Sequence, residues 1–140
     1  MASAFFTTIH AAEKLDQLKN SLHQHSHVIH QCRIWNGQRD SHGYGVYQVY
    51  FRGKWVKLQV HRIAYYLADP SRSLHRSIHV SHLCHNKLCI NVSHLSYESQ
   101  KMNNQRQICR AEGQCTGHRG KPKCKLSLVI MQFAFFSQLC

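Results

Sequence analysis

From Trp55 to Val60 the chain alternates, with Val56, Leu58 and Val60 set against Trp55, Lys57 and Gln59. That is the period of a half-buried strand. Upstream, Tyr44–Phe51 is dense in aromatic and β-branched residues, and Arg52-Gly53-Lys54 makes a tight connection. The two runs predict an antiparallel hairpin with one apolar face and one face carrying Lys57, Gln59 and an aromatic ring. A basic ribbon of this kind fits the major groove of a duplex, and an ordinary solvated sheet face has the same pattern. His61–Ala68 (HRIAYYLA) predicts a short helix stopped by Asp69-Pro70. Ile78–Leu83 predicts a further strand, and the polar run from near Ser93 to about Gln107 predicts a helix. The N-terminal AAEKLDQLKNSL is helix-compatible and passes into His23, His25, His27 and His30. Alternating histidines can bind a transition metal, but a solvated polar linker has the same composition, and no role is assigned to them.

At 140 residues the chain is expected to be one α+β domain. Eighteen Lys and Arg against six Asp and Glu give a net charge of +12, which favours a polyanionic partner, nucleic acid above all. The apolar run KLSLVIMQFAFFSQLC at the C-terminus is too short to span a bilayer, so no membrane partner is expected. Left exposed it would be a liability, and packing on a partner subunit is an alternative to packing on the chain's own core.

The seven cysteines change the picture further. A disulfide-stapled secreted domain is one reading of such a count. Against it stand the odd number, the absence of a signal-peptide pattern in Met1–Ala12, and histidines set among the cysteines at ligand spacing. Reduced, zinc-bound thiolates in an intracellular, reducing compartment account for them better, the nucleus or wherever target DNA resides. The Asn91-Val92-Ser93 sequon is then coincidental. Cys84, Cys89 and His94 follow one another with four residues between each pair, most of a tetrahedral zinc site lacking one ligand. Cys109, Cys115, His118 and Cys124 form a second quartet among the bends of Gly113, Gly117, Gly120 and Pro122. His82 is too near Cys84 in sequence to ligate the same metal comfortably. A histidine beside a zinc loop can deprotonate a water, while an amide on the next helix, Asn103, holds a hard cation against a phosphate. Ser99, Asn103, Arg106 and Arg110 recur at helical spacing and predict a stripe for a phosphate backbone.

His82-Leu83-Cys84-His85-Asn86, Cys89, Asn91, His94-Leu95 and Asn103 resemble the His-Cys box of homing endonucleases, within the ββα-metal (His-Me finger, HNH-related) nucleases. Val92 departs from the pattern, since relatives usually carry proline there. The resemblance implies a small zinc-stabilised ββα-metal nuclease fold with a β-hairpin, two structural zinc sites and little regular core. It implies that the first zinc takes its fourth ligand from an upstream cysteine, and Cys32 is the one available. It places a second structural zinc on the Cys109–Cys124 quartet. It implies DNA hydrolysis by His82 as general base with one Mg²⁺ (or Mn²⁺) on Asn103, leaving 5′-phosphate and 3′-hydroxyl ends. Arg52 or Lys54 would support the phosphate, and Lys54, Lys57, Gln59, Arg106 and Arg110 would contact double-stranded DNA. Family members are dimers with exchanged C-terminal tails, so a homodimer is expected. The division is then an N-terminal helical and histidine-rich segment (1–30), the nuclease domain (31–125) and the apolar tail (126–140). A less specific HNH-type nickase or defence nuclease, and a silent zinc module that only binds nucleic acid, remain as rivals.

Overall fold

The computed structural model describes residues 12–112 apart from 73 and 76. Helix α1 (Ala12–Gln24) leads into strands β1 (Ser26–Ile29) and β2 (Cys32–Trp35), then β3 (Val46–Phe51) and β4 (Lys54–Gln59). Helix α2 (Val60–Ala68), strand β5 (His79–His82), a 3₁₀ turn (Val92–His94), strand β6 (Leu95–Glu98) and helix α3 (Gln100–Glu112) follow. The strands form three separate antiparallel pairs, β1 with β2, β3 with β4 and β5 with β6.

The predicted hairpin forms as β3–β4, with Tyr50 opposite Trp55 and Gln48 opposite Lys57. Its two-residue turn places Arg52 at φ +48° and Gly53 at φ +80°, the left-handed pair that matches strand twist in a tight hairpin. Tyr47, Val49, Phe51, Val56 and Leu58 face the core, while Tyr50 and Trp55 stand exposed on the other face beside Lys57. Register therefore puts Lys54, partner of Phe51, on the side opposite Lys57.

Helix α2 is the centre of the core. Val60 and Ile63 are fully buried, with Tyr66 and Leu67 nearly so, and they pack with Leu18 and Leu22 of α1, Trp35, Leu58, Val80 and Leu95. It begins where β4 ends because Val60 N–H donates to the Gly45 carbonyl at 3.0 Å. Gly45 has no room for a side chain there: a Cβ would lie 2.6 Å from Val60 Cγ2 and 2.7 Å from the Trp35 ring. The helix stops at Asp69, ahead of Pro70, as the sequence predicts.

Two expectations are corrected. The helix predicted from near Ser93 begins only at Gln100; Leu95–Glu98 is a strand paired residue for residue with His79–His82. Pairing with β5 outweighs the weak local preference of a polar tetrapeptide. The histidine-rich run is not all linker either, since Ser26–Ile29 pairs with Cys32–Trp35.

Candidate metal centre and active site

Loop 83–94, between β5 and β6, is shaped by its two asparagines. Asn86 accepts from the N–H groups of Leu88 through its side chain and of Cys89 through its carbonyl. Asn91 caps the 3₁₀ turn by accepting from Ser93 N–H at 3.1 Å and ties it to the β1–β2 turn by donating to the Gln31 carbonyl at 2.7 Å. This cap shapes the turn that contains Val92. Between the two asparagines the chain lies alongside β2: Trp35 N–H donates to the Leu88 carbonyl at 2.9 Å and Ile90 N–H to the Arg33 carbonyl at 2.8 Å. Cys89 is thereby carried to Cys32.

The donor atoms of Cys32, Cys84, Cys89 and His94 all lie within 4.8 Å of one another. His94 Nδ1 is 3.3 Å from Cys32 Sγ and 3.5 Å from Cys89 Sγ. Zinc bonds of about 2.3 Å to sulfur and 2.0 Å to nitrogen at a tetrahedral angle would place those atoms roughly 3.5 Å apart. Cys32 and Cys89 are fully buried and His94 almost so. The adjoining Cys89 thiol, and then burial, push the Cys84 thiol upward, so the thiolates need a cation to exist in this site. Donor number, donor type and spacing all fit zinc. Among the described residues no other group of three or more such donors converges. Of the second predicted quartet, Cys109 lies on α3, while Cys115, His118 and Cys124 fall outside the described residues, as does the apolar tail.

His82 ends β5 beside this knot. Its Nε2 lies 3.0 Å from the Cys89 carbonyl oxygen. A carbonyl only accepts, so Nε2 carries the proton and Nδ1 presents a lone pair. Burial, and then the charges of His85 and His94, push its imidazole down to about 4 against the opposing pull of the Cys89 bond.

The surroundings of His82 contain residues that sequence patterning did not single out. His61 of α2 lies 4.6 Å away ring to ring, and Tyr44 stacks at 6.1 Å. His61 is buried, and its Nδ1 has no hydrogen-bond partner among the described residues. Lys87 donates to the His42 carbonyl at 2.8 Å and sits 5.1 Å from the Tyr44 ring centroid. The available signal for His61 is a histidine that, with Arg62, opens an otherwise apolar and aromatic helical run.

Asn103 is half-buried on α3, and its side-chain amide makes no hydrogen bond among the described residues, whereas that of Asn104 accepts from Gln100 at 2.7 Å. Arg52 sits at the exposed β3–β4 tip with its guanidinium 5.1 Å from the Phe51 ring centroid. Lys54 and Lys57 are exposed, while Gln59 is half-buried with its side chain bonded to Asp40. Arg106 corrects the expected phosphate stripe: it is 1% exposed, and its Nε donates to both carboxylate oxygens of Glu98 at 2.8 and 3.1 Å. Arg110 follows on the same helix.

A family profile described as the zinc-binding loop region of homing endonuclease matches residues 31–126, well over half of the chain. The chain belongs to this family. It is therefore related to the His-Me, HNH-type nucleases, and one zinc site, at Cys32, Cys84, Cys89 and His94, is supported by family and geometry together. No curated protein and no solved structure matches significantly. Among the described residues no helix is long and apolar enough to cross a membrane.

Proposed function

We propose that the chain is a metal-dependent endonuclease that hydrolyses phosphodiester bonds of double-stranded DNA. The observation that carries this reading is the hydrogen bond from His82 Nε2 to the Cys89 carbonyl, which leaves Nδ1 to take a proton from an attacking water. A closed four-donor zinc site has no open position for water, so the zinc holds the loop and does no chemistry. A lone amide is a weak ligand, so Asn103 holds a divalent cation only once phosphate oxygens complete the coordination. Mg²⁺ or Mn²⁺, when bound, supplies charge to the phosphate and to the leaving 3′ oxygen. The products carry 5′-phosphate and 3′-hydroxyl ends. Arg52, Lys54, Lys57 and Arg110 contact the DNA backbone, two chains act together as a homodimer, and a second zinc is held by Cys109, Cys115, His118 and Cys124.

Cleavage of a random-sequence duplex library with Mg²⁺ tests the reading. Cleaved ends are expected from the parent chain, and a loss of about 10²- to 10⁴-fold in rate from His82→Ala with DNA affinity kept. A parent that binds duplexes and cuts none under Mg²⁺ or Mn²⁺ overturns it in favour of a zinc module that only binds.

A further inference from the structure

The β5–β6 ribbon is a blade between two helices. Its register sets Val80, His82, Leu95 and Tyr97 on one face and His79, Ser81, Ser96 and Glu98 on the other. The first face meets the core around α2, where Val80 and Leu95 are buried and His82 meets His61. The second carries the Glu98 carboxylate, which is fully buried and accepts from two donors: Arg106 Nε of α3, shared between both of its oxygens, and the Ser81 hydroxyl on one of them.

Each partner of this carboxylate adjoins a proposed active-site residue. Ser81 is the residue before His82 on the same strand. Arg106 lies three residues after Asn103, on neighbouring positions of one helix face. A slide or roll of α3 over the ribbon would move Asn103 relative to His82, and it would part Arg106 Nε from Glu98. A buried ion pair is a poor source of stability, because desolvating both charges offsets most of their attraction; in some proteins its role is to fix one geometry among several. Among the described residues the main apolar core draws on α1, α2, the strands and the loops beside them, and none of its members comes from α3.

We propose that Glu98 and Arg106 are positioning residues, a clamp that fixes α3 on the β5–β6 ribbon and so sets Asn103 against His82 for cleavage. The inference rests on the endonuclease reading above. It requires no contact of either residue with DNA, metal or water.

The test is the paired replacement Glu98→Leu with Arg106→Met, which removes both charges and leaves neither stranded. Thermal midpoint, zinc content and duplex affinity are expected to stay close to the parent's. The kcat is expected to fall roughly 10- to 100-fold, as for groups that orient metal ligands, with the Mg²⁺ concentration for half-maximal rate raised and KM for DNA unchanged. Arg106→Lys, which keeps the charge and loses the Nε contact to both Glu98 oxygens, is expected to fall between parent and pair. An active parent with an equally active double variant overturns the clamp alone; an inactive parent overturns the endonuclease reading itself. A kcat loss that tracks lost zinc or a lowered midpoint, with an unchanged Mg²⁺ requirement, also overturns the clamp by making the pair merely structural. Should the double variant fail to fold, Arg106→Lys decides the matter: reduced kcat at the parent's thermal midpoint supports the clamp, and parental kcat overturns it.

Discussion

His82 Nε2 and the Cys89 carbonyl oxygen meet at 3.0 Å across the zinc loop. The loop that binds metal therefore also dictates which imidazole nitrogen is protonated. Nitrogen-15 NMR of histidine-labelled protein at neutral pH is expected to show His82 with a protonated Nε2 and an unprotonated Nδ1. The opposite tautomer would remove the proposed base.

The same loop depends on its metal. Without a cation, crowding by Cys89 and burial keep the Cys84 thiol protonated, and the loop loses its anchor to β2. Ligand loss forfeits binding free energy coupled to folding, on the order of 10 kcal/mol for small zinc modules. Cys84→Ser is expected to lose one zinc per chain by elemental analysis and to unfold the region around β2 and loop 83–94 in hydrogen exchange. Zinc that persists in that variant is expected to map to Cys109, Cys115, His118 and Cys124. A fully folded, zinc-replete Cys84→Ser protein would refute the site.

Much of this site is legible in the sequence because ligand spacing is a local property. Cys84, Cys89 and His94 lie within one loop, and the β3–β4 hairpin declares itself by alternation and a tight turn. What was not legible depended on strand pairing. With Leu95–Glu98 taken as helix, Glu98 and Arg106 would stand about 12 Å apart along one axis, unable to pair, so Arg106 reads as a surface cation. Once Leu95–Glu98 folds back as a strand, the two meet at 2.8 Å and leave the surface. The meeting of His61 with His82 is likewise made by helix-on-strand packing and has no pattern along the chain.

His61 predicts a pH dependence. Burial, then the charges of His82 and Arg62, hold its imidazole well below the ordinary value, against a hydrogen bond to the Val80 backbone; Tyr44 is the other ring beside it. The unfolded chain takes up this proton near pH 6.5 and the folded chain only at much lower pH. Stability from this group is thus complete above about pH 6.5 and declines as the pH falls below it. His61→Phe is expected to show a smaller fall in denaturation midpoint than the parent between about pH 7 and pH 5.5. Zinc release in acid affects both proteins, so the difference isolates His61. Equal falls would show that its proton is not excluded.

Gly45 offers a packing test independent of any metal. Its Cβ direction is occupied by Val60 and Trp35, both almost wholly buried. Gly45→Ala must push the start of α2 off the Trp35 ring, and overpacking of this kind typically costs about 1–3 kcal/mol. A denaturation midpoint equal to the parent's would show that α2 is free to shift.

The last prediction separates surface from buried cations in DNA association. A chain of net charge +12 is expected to bind any duplex at low salt, and affinity falls with salt by roughly one unit of log–log slope for each phosphate neutralised. Lys57 is exposed on the outer face of β4, opposite Gln48 and next to Trp55, and Lys57→Ala is expected to flatten that slope by about one unit. The Glu98→Leu with Arg106→Met protein removes a cation as well, but one that is 1% exposed and already neutralised by Glu98. It is expected to leave the slope unchanged. Fluorescence anisotropy with a labelled duplex over a salt series measures both. A flattened slope in the double variant would return Arg106 to the DNA surface, and an unaltered slope in Lys57→Ala would take the β3–β4 hairpin off it.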